Sequence, residues 1–124
     1  MKLLDCTIRD GGYYTQWDFP DQIVDHYINS FNHLPVDYLE VGYRSNPLSG
    51  YSGKYFYCPV SVLQYLKEKT NKKLVIILNE KDVRADDAEK LLTPISQYVS
   101  MVRMAIDPKN FKRAIGLAQR VKQL

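Results

Sequence analysis

The run Asp5-Cys6-Thr7-Ile8-Arg9-Asp10-Gly11-Gly12-Tyr13 sets an arginine beside an aspartate, with two glycines and a phenol directly after them. A guanidinium next to a carboxylate offers a cation for a developing oxyanion and an oxygen ligand for a hard metal ion. Further along, Val36-Asp37-Tyr38-Leu39-Glu40-Val41-Gly42-Tyr43-Arg44 supplies a second carboxylate, Glu40, inside an otherwise apolar stretch. The alternative for the first run, taken alone, is a salt-bridged strand end followed by a turn.

Positioning these groups requires a particular pair of elements. Read with period two, Leu4, Cys6 and Ile8 form one face of a strand and Asp5, Thr7 and Arg9 the other, so one side suits a covering helix and the other a polar interior. Gly11 and Gly12 then allow a sharp turn. In the second strand Leu39 and Val41 alternate with Tyr38, Glu40 and Gly42. Between them, Asp18-Phe19-Pro20-Asp21 has the form of a helix start, with Pro20 in the first turn and Asp21 near the positive end of the dipole. Ile23, Tyr27, Ile28 and Phe31, extended by Leu34, recur at helical spacing. Strand, helix and strand make a right-handed βαβ unit that presents Arg9, Asp10 and Glu40 at one edge of a parallel sheet.

The rhythm repeats. Strands are predicted near Lys2–Ile8, Val36–Tyr43, Lys73–Leu78 and Val99–Ala105, and helices near Pro20–Leu34, Pro59–Thr70, Arg84–Leu92 and Pro108–Leu124. In the last helix Phe111, Ala114, Ile115, Ala118 and Val121 form the expected apolar face. The irregular stretch Arg44 to Cys58, rich in Gly, Ser and Tyr, follows a strand end and would overhang a site there. The expectation is an α/β chain of four strand-helix units.

Composition fits a soluble domain with ordinary apolar content, no apolar run of membrane-spanning length, and no signal sequence at Met1-Lys2-Leu3-Leu4, so the cytoplasm is the expected compartment. Cys6 and Cys58 show no metal-ligand spacing and read as reduced, small apolar side chains. Residues 1–53 hold three Lys/Arg against seven Asp/Glu, and residues 54–124 hold fourteen against seven. The basic excess lies on the polar side of one amphipathic helix without interleaved aromatics, so neither nucleic acid nor membrane is expected as a partner. Among the tyrosines, Tyr13 and Tyr43 lie near enough to the strand ends to be acid-base candidates, although loop packing is the commoner use.

The segments Asp5 to Tyr13 and Tyr38 to Arg44 resemble the start of the catalytic barrel in the metal-dependent family that includes 4-hydroxy-2-oxovalerate aldolase, 3-hydroxy-3-methylglutaryl-CoA lyase, and the isopropylmalate and homocitrate synthases. Gly12 to Phe19 and Gly50 to Tyr57 are similar to a bacterial branch described generically as containing an aldolase catalytic domain, and Val102-Arg103-Met104-Ala105 is a weaker echo of the aldolases' fourth strand. The resemblance implies the N-terminal half of a (β/α)8 barrel. It implies Asp10 as a ligand of a divalent metal, Mn²⁺ or Mg²⁺ with Zn²⁺ also compatible, and Arg9 as the cation stabilising an enolate. Glu40 would support the metal-bound water or orient Arg9. The substrate class is a 2-oxo acid or hydroxy-oxo acid, with a carbon–carbon bond made or broken beside the oxo group.

The family completes its metal site with a His-x-His pair. The histidines of this chain, His26 and His33, fall in or at the end of the first long helix and are expected to be solvated or half-buried there. A full barrel takes about 250 residues, so 124 residues hold half of one. The chain is therefore expected to be a partial barrel domain over 1–124, the N-terminal part of a longer enzyme and inactive by itself. The other reading is a non-catalytic half-barrel. Its unpaired strand edges favour self-association, so a homo-oligomer is expected.

Overall fold

Lys73-Leu74-Val75-Ile76-Ile77-Leu78 is apolar at every position but the first, which suits a strand covered on both faces. In the computed structural model, which describes residues 1–124, this segment is an inner strand of the sheet. The order of elements is β1 (Leu4–Asp5), α1 (Thr7–Thr15), α2 (Asp21–Asn32), β2 (Tyr38–Tyr43), α3 (Lys54–Tyr57), α4 (Val60–Lys69), β3 (Lys73–Asn79), α5 (Ala85–Leu92), β4 (Val99–Ala105) and α6 (Phe111–Gln123). Short 3₁₀ turns at Thr93–Ile95 and Pro108–Asn110 flank β4. The strands lie in sequence order β1-β2-β3-β4, and every pairing is parallel. This is the α/β arrangement of half a (β/α)8 barrel.

One face of the sheet carries the main core. Leu39 and Val41 of β2 and Leu74, Ile76 and Leu78 of β3 pack with Val24 and Ile28 of α2, Leu63 and Leu66 of α4, Leu91 of α5 and Leu117 of α6. At about 25 cal/mol per Å² of apolar surface removed from water, this layer is the chief stabiliser of the fold. The opposite face, the concave one in a barrel, holds Glu40, Tyr43, Val75, Ile77 and Arg103 in matching register. No helix is long and apolar enough to cross a membrane.

The first strand departs from the sequence reading. It ends at Asp5, and Thr7-Ile8-Arg9 is helical rather than extended. Asp5 pairs in register with Leu39, which points to the helix layer, and it accepts a hydrogen bond of 2.6 Å from Tyr27 of α2. The faces of β1 are thus exchanged relative to the expected alternation, and Leu4 does not pack toward the helices. Gly11 and Gly12 lie within α1 instead of forming a turn. In α2 the buried residues are Val24, Tyr27 and Ile28, whereas Ile23 and Leu34 are exposed. In α6 Ala114 and Leu117 are buried, while Phe111 and Ile115 stand in solvent. Met101 and Ile106 are exposed as well, and β4 has one unpaired edge.

Candidate active site

Helix α1 carries three of the candidate residues and owes its existence to local devices. Asp5 accepts from the Thr7 N–H at 3.0 Å and from its hydroxyl at 2.9 Å, satisfying the first free donors of the turn. Two glycines cost a helix about 1 kcal/mol each relative to alanine. Gly12 is nevertheless required, because a Cβ there would collide with the indole of Trp17. That indole folds back over the helix, its Nε1 donating to the carbonyl of Arg9 at 2.8 Å and its backbone N–H to that of Gly12 at 3.0 Å. Gln16 and Trp17 both adopt left-handed backbone, φ 56° and 55°, to make the reversal. Arg9 and Tyr13, four residues apart, consequently project from one side of the helix.

Arg9 meets Glu40 across the concave face. Its Nε donates to Glu40 Oε1 at 2.7 Å, and its Nη1 donates to Asp10 Oδ1 at 3.0 Å. Glu40 is fully buried, and its second oxygen accepts from Nη1 of Arg103 at 2.9 Å. One buried carboxylate therefore neutralises one of two guanidiniums and orients both. Burial alone would weaken the charge of Arg9, but the hydrogen bond and charge of Glu40 outweigh it and hold its pKa above the ordinary value. Nε and Nη1 of Arg9 are thus both engaged by carboxylates, and its guanidinium also acts on the Tyr43 phenol.

Arg103 was not singled out as a site residue from the sequence. It is a lone cation within β4, and the sheet register aligns it with Ile77 and Tyr43 and so puts it on the same face as Glu40. Tyr43 reaches this face by an irregularity. The register slips between Glu40 and Gly42, leaving Val41 without a partner across the ladder, so Glu40 and Tyr43 share a face although they are three residues apart. Gly42 is obligatory beside this bulge because a Cβ would strike the carbonyl of Tyr55 and the sulfur of Cys58. The phenol oxygens of Tyr43 and Tyr13 are 3.0 Å apart.

A divalent cation would find few donors here. Asp10 is two-thirds exposed beside Arg9 and can offer one oxygen. Both oxygens of Glu40 are taken by arginines, His26 and His33 lie exposed on α2 and at its end, and no three His, Cys, Asp or Glu side chains converge. The residues of this chain do not by themselves enclose a metal ion. Cys58, fully buried, has its thiol pushed up to about 12 by burial, and neither cysteine is disulfide-bonded.

Fold and cluster together define a parallel half-barrel with its charged groups gathered toward the C-terminal ends of the strands, where (β/α)8 enzymes keep their chemistry. No family model and no curated protein matches the sequence. Among solved structures, the chain is similar to the N-terminal domain of a "putative aldolase" from Bacteroides vulgatus, with 55% sequence identity and a TM-score of 0.95. The match covers 99% of this chain and 41% of that chain, so this chain spans less than half the length of the protein it resembles.

Proposed function

We propose that the chain is the N-terminal part of a divalent-metal-dependent aldolase or lyase that makes or breaks a carbon–carbon bond next to a 2-oxo acid. The observation that carries this reading is the state of Arg9: a fully buried carboxylate pins its guanidinium through Nε on the concave face. In cleavage of a 4-hydroxy-2-oxo acid, the C3–C4 electron pair passes into the enolate and the 4-hydroxyl loses its proton to a base. Negative charge then collects on the C2 oxygen, and a fixed guanidinium there lowers the barrier. Asp10 is the ligand this chain offers to Mn²⁺, Mg²⁺ or Zn²⁺, and such an ion would hold the 2-oxo acid. Glu40 is a positioning residue for Arg9, and Tyr13, at the mouth of the cluster, is the acid-base candidate. Kinship with an N-terminal aldolase domain supports the aldolase level of the reading.

Steady-state cleavage of a 4-hydroxy-2-oxo acid by the full-length, metal-loaded enzyme tests it. Arg9→Lys keeps the charge but loses the planar, multidentate donor, and is expected to lower kcat by about 10²–10³, roughly 3–4 kcal/mol. KM should move far less. Near-normal turnover with only a raised KM would demote Arg9 to a binding residue.

One observation favours a second reading, a self-associating half-barrel: β4 leaves one strand edge unpaired, and Met101, Ile106, Phe111 and Ile115 are exposed. Sedimentation equilibrium separates the two, since this reading requires a dimer of the chain and the first does not.

A further inference from the structure

Tyr43 is buried at 4% exposure, although its only polar atom is a hydroxyl on the concave face. Its ring is stacked on Phe56 at 5.2 Å and meets the edge of Trp17 at 5.6 Å, which leaves the phenol one orientation. The same indole packs against Tyr13 at 4.8 Å, so one aromatic cluster sets both hydroxyls. Tyr13 differs in being 63% exposed: it opens to solvent and to anything bound beside Arg9. A regular β2 would have turned Tyr43 into the helix layer, and the slip at Val41 is what brings it here.

We infer that Tyr43 is a positioning residue that fixes the Tyr13 hydroxyl beside Arg9, so that Tyr13 can serve as the proton donor and acceptor of the reaction. The inference rests on the reading given under Proposed function. In the condensing direction the enolate carbon attacks the aldehyde carbon, and the carbonyl π pair moves to oxygen. That oxygen takes the proton of Tyr13, and the resulting phenolate accepts a hydrogen bond from Tyr43. Tyr13 then recovers a proton from solvent on its open side. Cleavage is the reverse, with the Tyr13 oxygen taking the proton of the 4-hydroxyl as the bond breaks. Tyr43 keeps its proton throughout: burial, then the hydrogen bond with Tyr13, raise its pKa, and the opposing charge and hydrogen bond of Arg9 do not reverse this. The charged groups facing the pair are Arg9 from α1, Glu40 from β2 and Arg103 from β4.

The test is a kinetic cycle on the full-length, metal-loaded enzyme with Tyr43→Phe, Tyr13→Phe and the double variant. Tyr43→Phe preserves the ring packing and is expected to lower kcat about tenfold with KM changed less than about twofold. The double variant should be no slower than Tyr13→Phe alone. Normal turnover in Tyr43→Phe, or losses that multiply in the double variant, overturns the inference. If Tyr43→Phe fails to fold, Phe56→Leu replaces it. That change loosens the ring of Tyr43 without touching either hydroxyl, and should give a smaller loss confined to kcat; unchanged kcat overturns the inference. If the wild type cleaves no 4-hydroxy-2-oxo acid, the functional reading falls separately. The pair is then judged by the order parameter of the Tyr13 ring in tyrosine-labelled NMR of the same protein. Loosening in Tyr43→Phe upholds the positioning role, and an unchanged ring overturns it.

Discussion

Replacing Glu40 with glutamine keeps the shape of the side chain and removes the charge shared by two arginines. At present Oε1 accepts from Arg9 at 2.7 Å and Oε2 from Arg103 at 2.9 Å, at a site with no solvent exposure. Glutamine retains one acceptor oxygen but turns an NH₂ group toward the other guanidinium, donor against donor. A charge-assisted hydrogen bond contributes about 1.5–3 kcal/mol, and breaking a buried pair costs about 3–5 kcal/mol. A loss of about 3 kcal/mol is expected for Glu40→Gln, a large share of the roughly 5–15 kcal/mol of an ordinary domain. For a chain of 124 residues that is a fall in Tm of about 10 °C. Urea denaturation at neutral pH reads it directly. The companion variant Arg9→Met/Glu40→Leu/Arg103→Met removes the whole ion cluster and should recover to within about 1 kcal/mol of wild type, because no charge then needs desolvating. A Glu40→Gln protein as stable as wild type would refute the reasoning, since the two arginines would then hold their places without it.

Glycine substitutions in α1 should have opposite signs. Gly12→Ala drives a Cβ into the Trp17 indole and is expected to cost about 1–3 kcal/mol with a shift in tryptophan fluorescence, whereas Gly11→Ala makes only ordinary contact with Phe19 and should gain about 0.5–1 kcal/mol in thermal melts. Just past the C-terminal end of β3 the hydrogen bond from Arg113 holds Glu80 below its usual 4.5, against its own burial. A depressed folded pKa gives stability that is complete above the unfolded value and lost as pH falls through the folded one. Glu80→Gln should therefore be less stable than wild type at neutral pH, and the difference should shrink below about pH 4.5 in urea midpoints taken across that range.

Much of this architecture is legible in the residues, and the failures have physical causes. β4 is found from end to end, because Val99 to Ala105 is bounded by turn-formers and unbroken by charge except at Arg103. β1 is overextended, since Thr7 and Ile8 are β-branched and follow an apolar start, yet Asp5 caps a helix there and Trp17 closes it from outside the local window. The meeting of Arg9 with Glu40 is anticipated, but the route differs: Arg9 arrives from a helix and not from a strand face. Arg103 escapes because a single arginine in a strand carries no spacing signal until its neighbour across the sheet is known. The apolar face of α6 is read as covered, while the structure buries Ala114 and Leu117, packs Val121 partly against the core and leaves Phe111 and Ile115 exposed.

The unpaired Val41 gives β2 two phases, one before it and one after, within six residues. Deleting Val41 would leave Glu40 and Tyr43 two residues apart in a regular strand and on the same side of the sheet, whereas straightening β2 with Val41 kept in the ladder would turn Tyr43 to the opposite side and break its contact with Tyr13. A one-residue gap at this point between two such chains is thus a change of length and not of side. A scaffold that keeps Glu40 and Tyr43 three residues apart must import the irregularity with them.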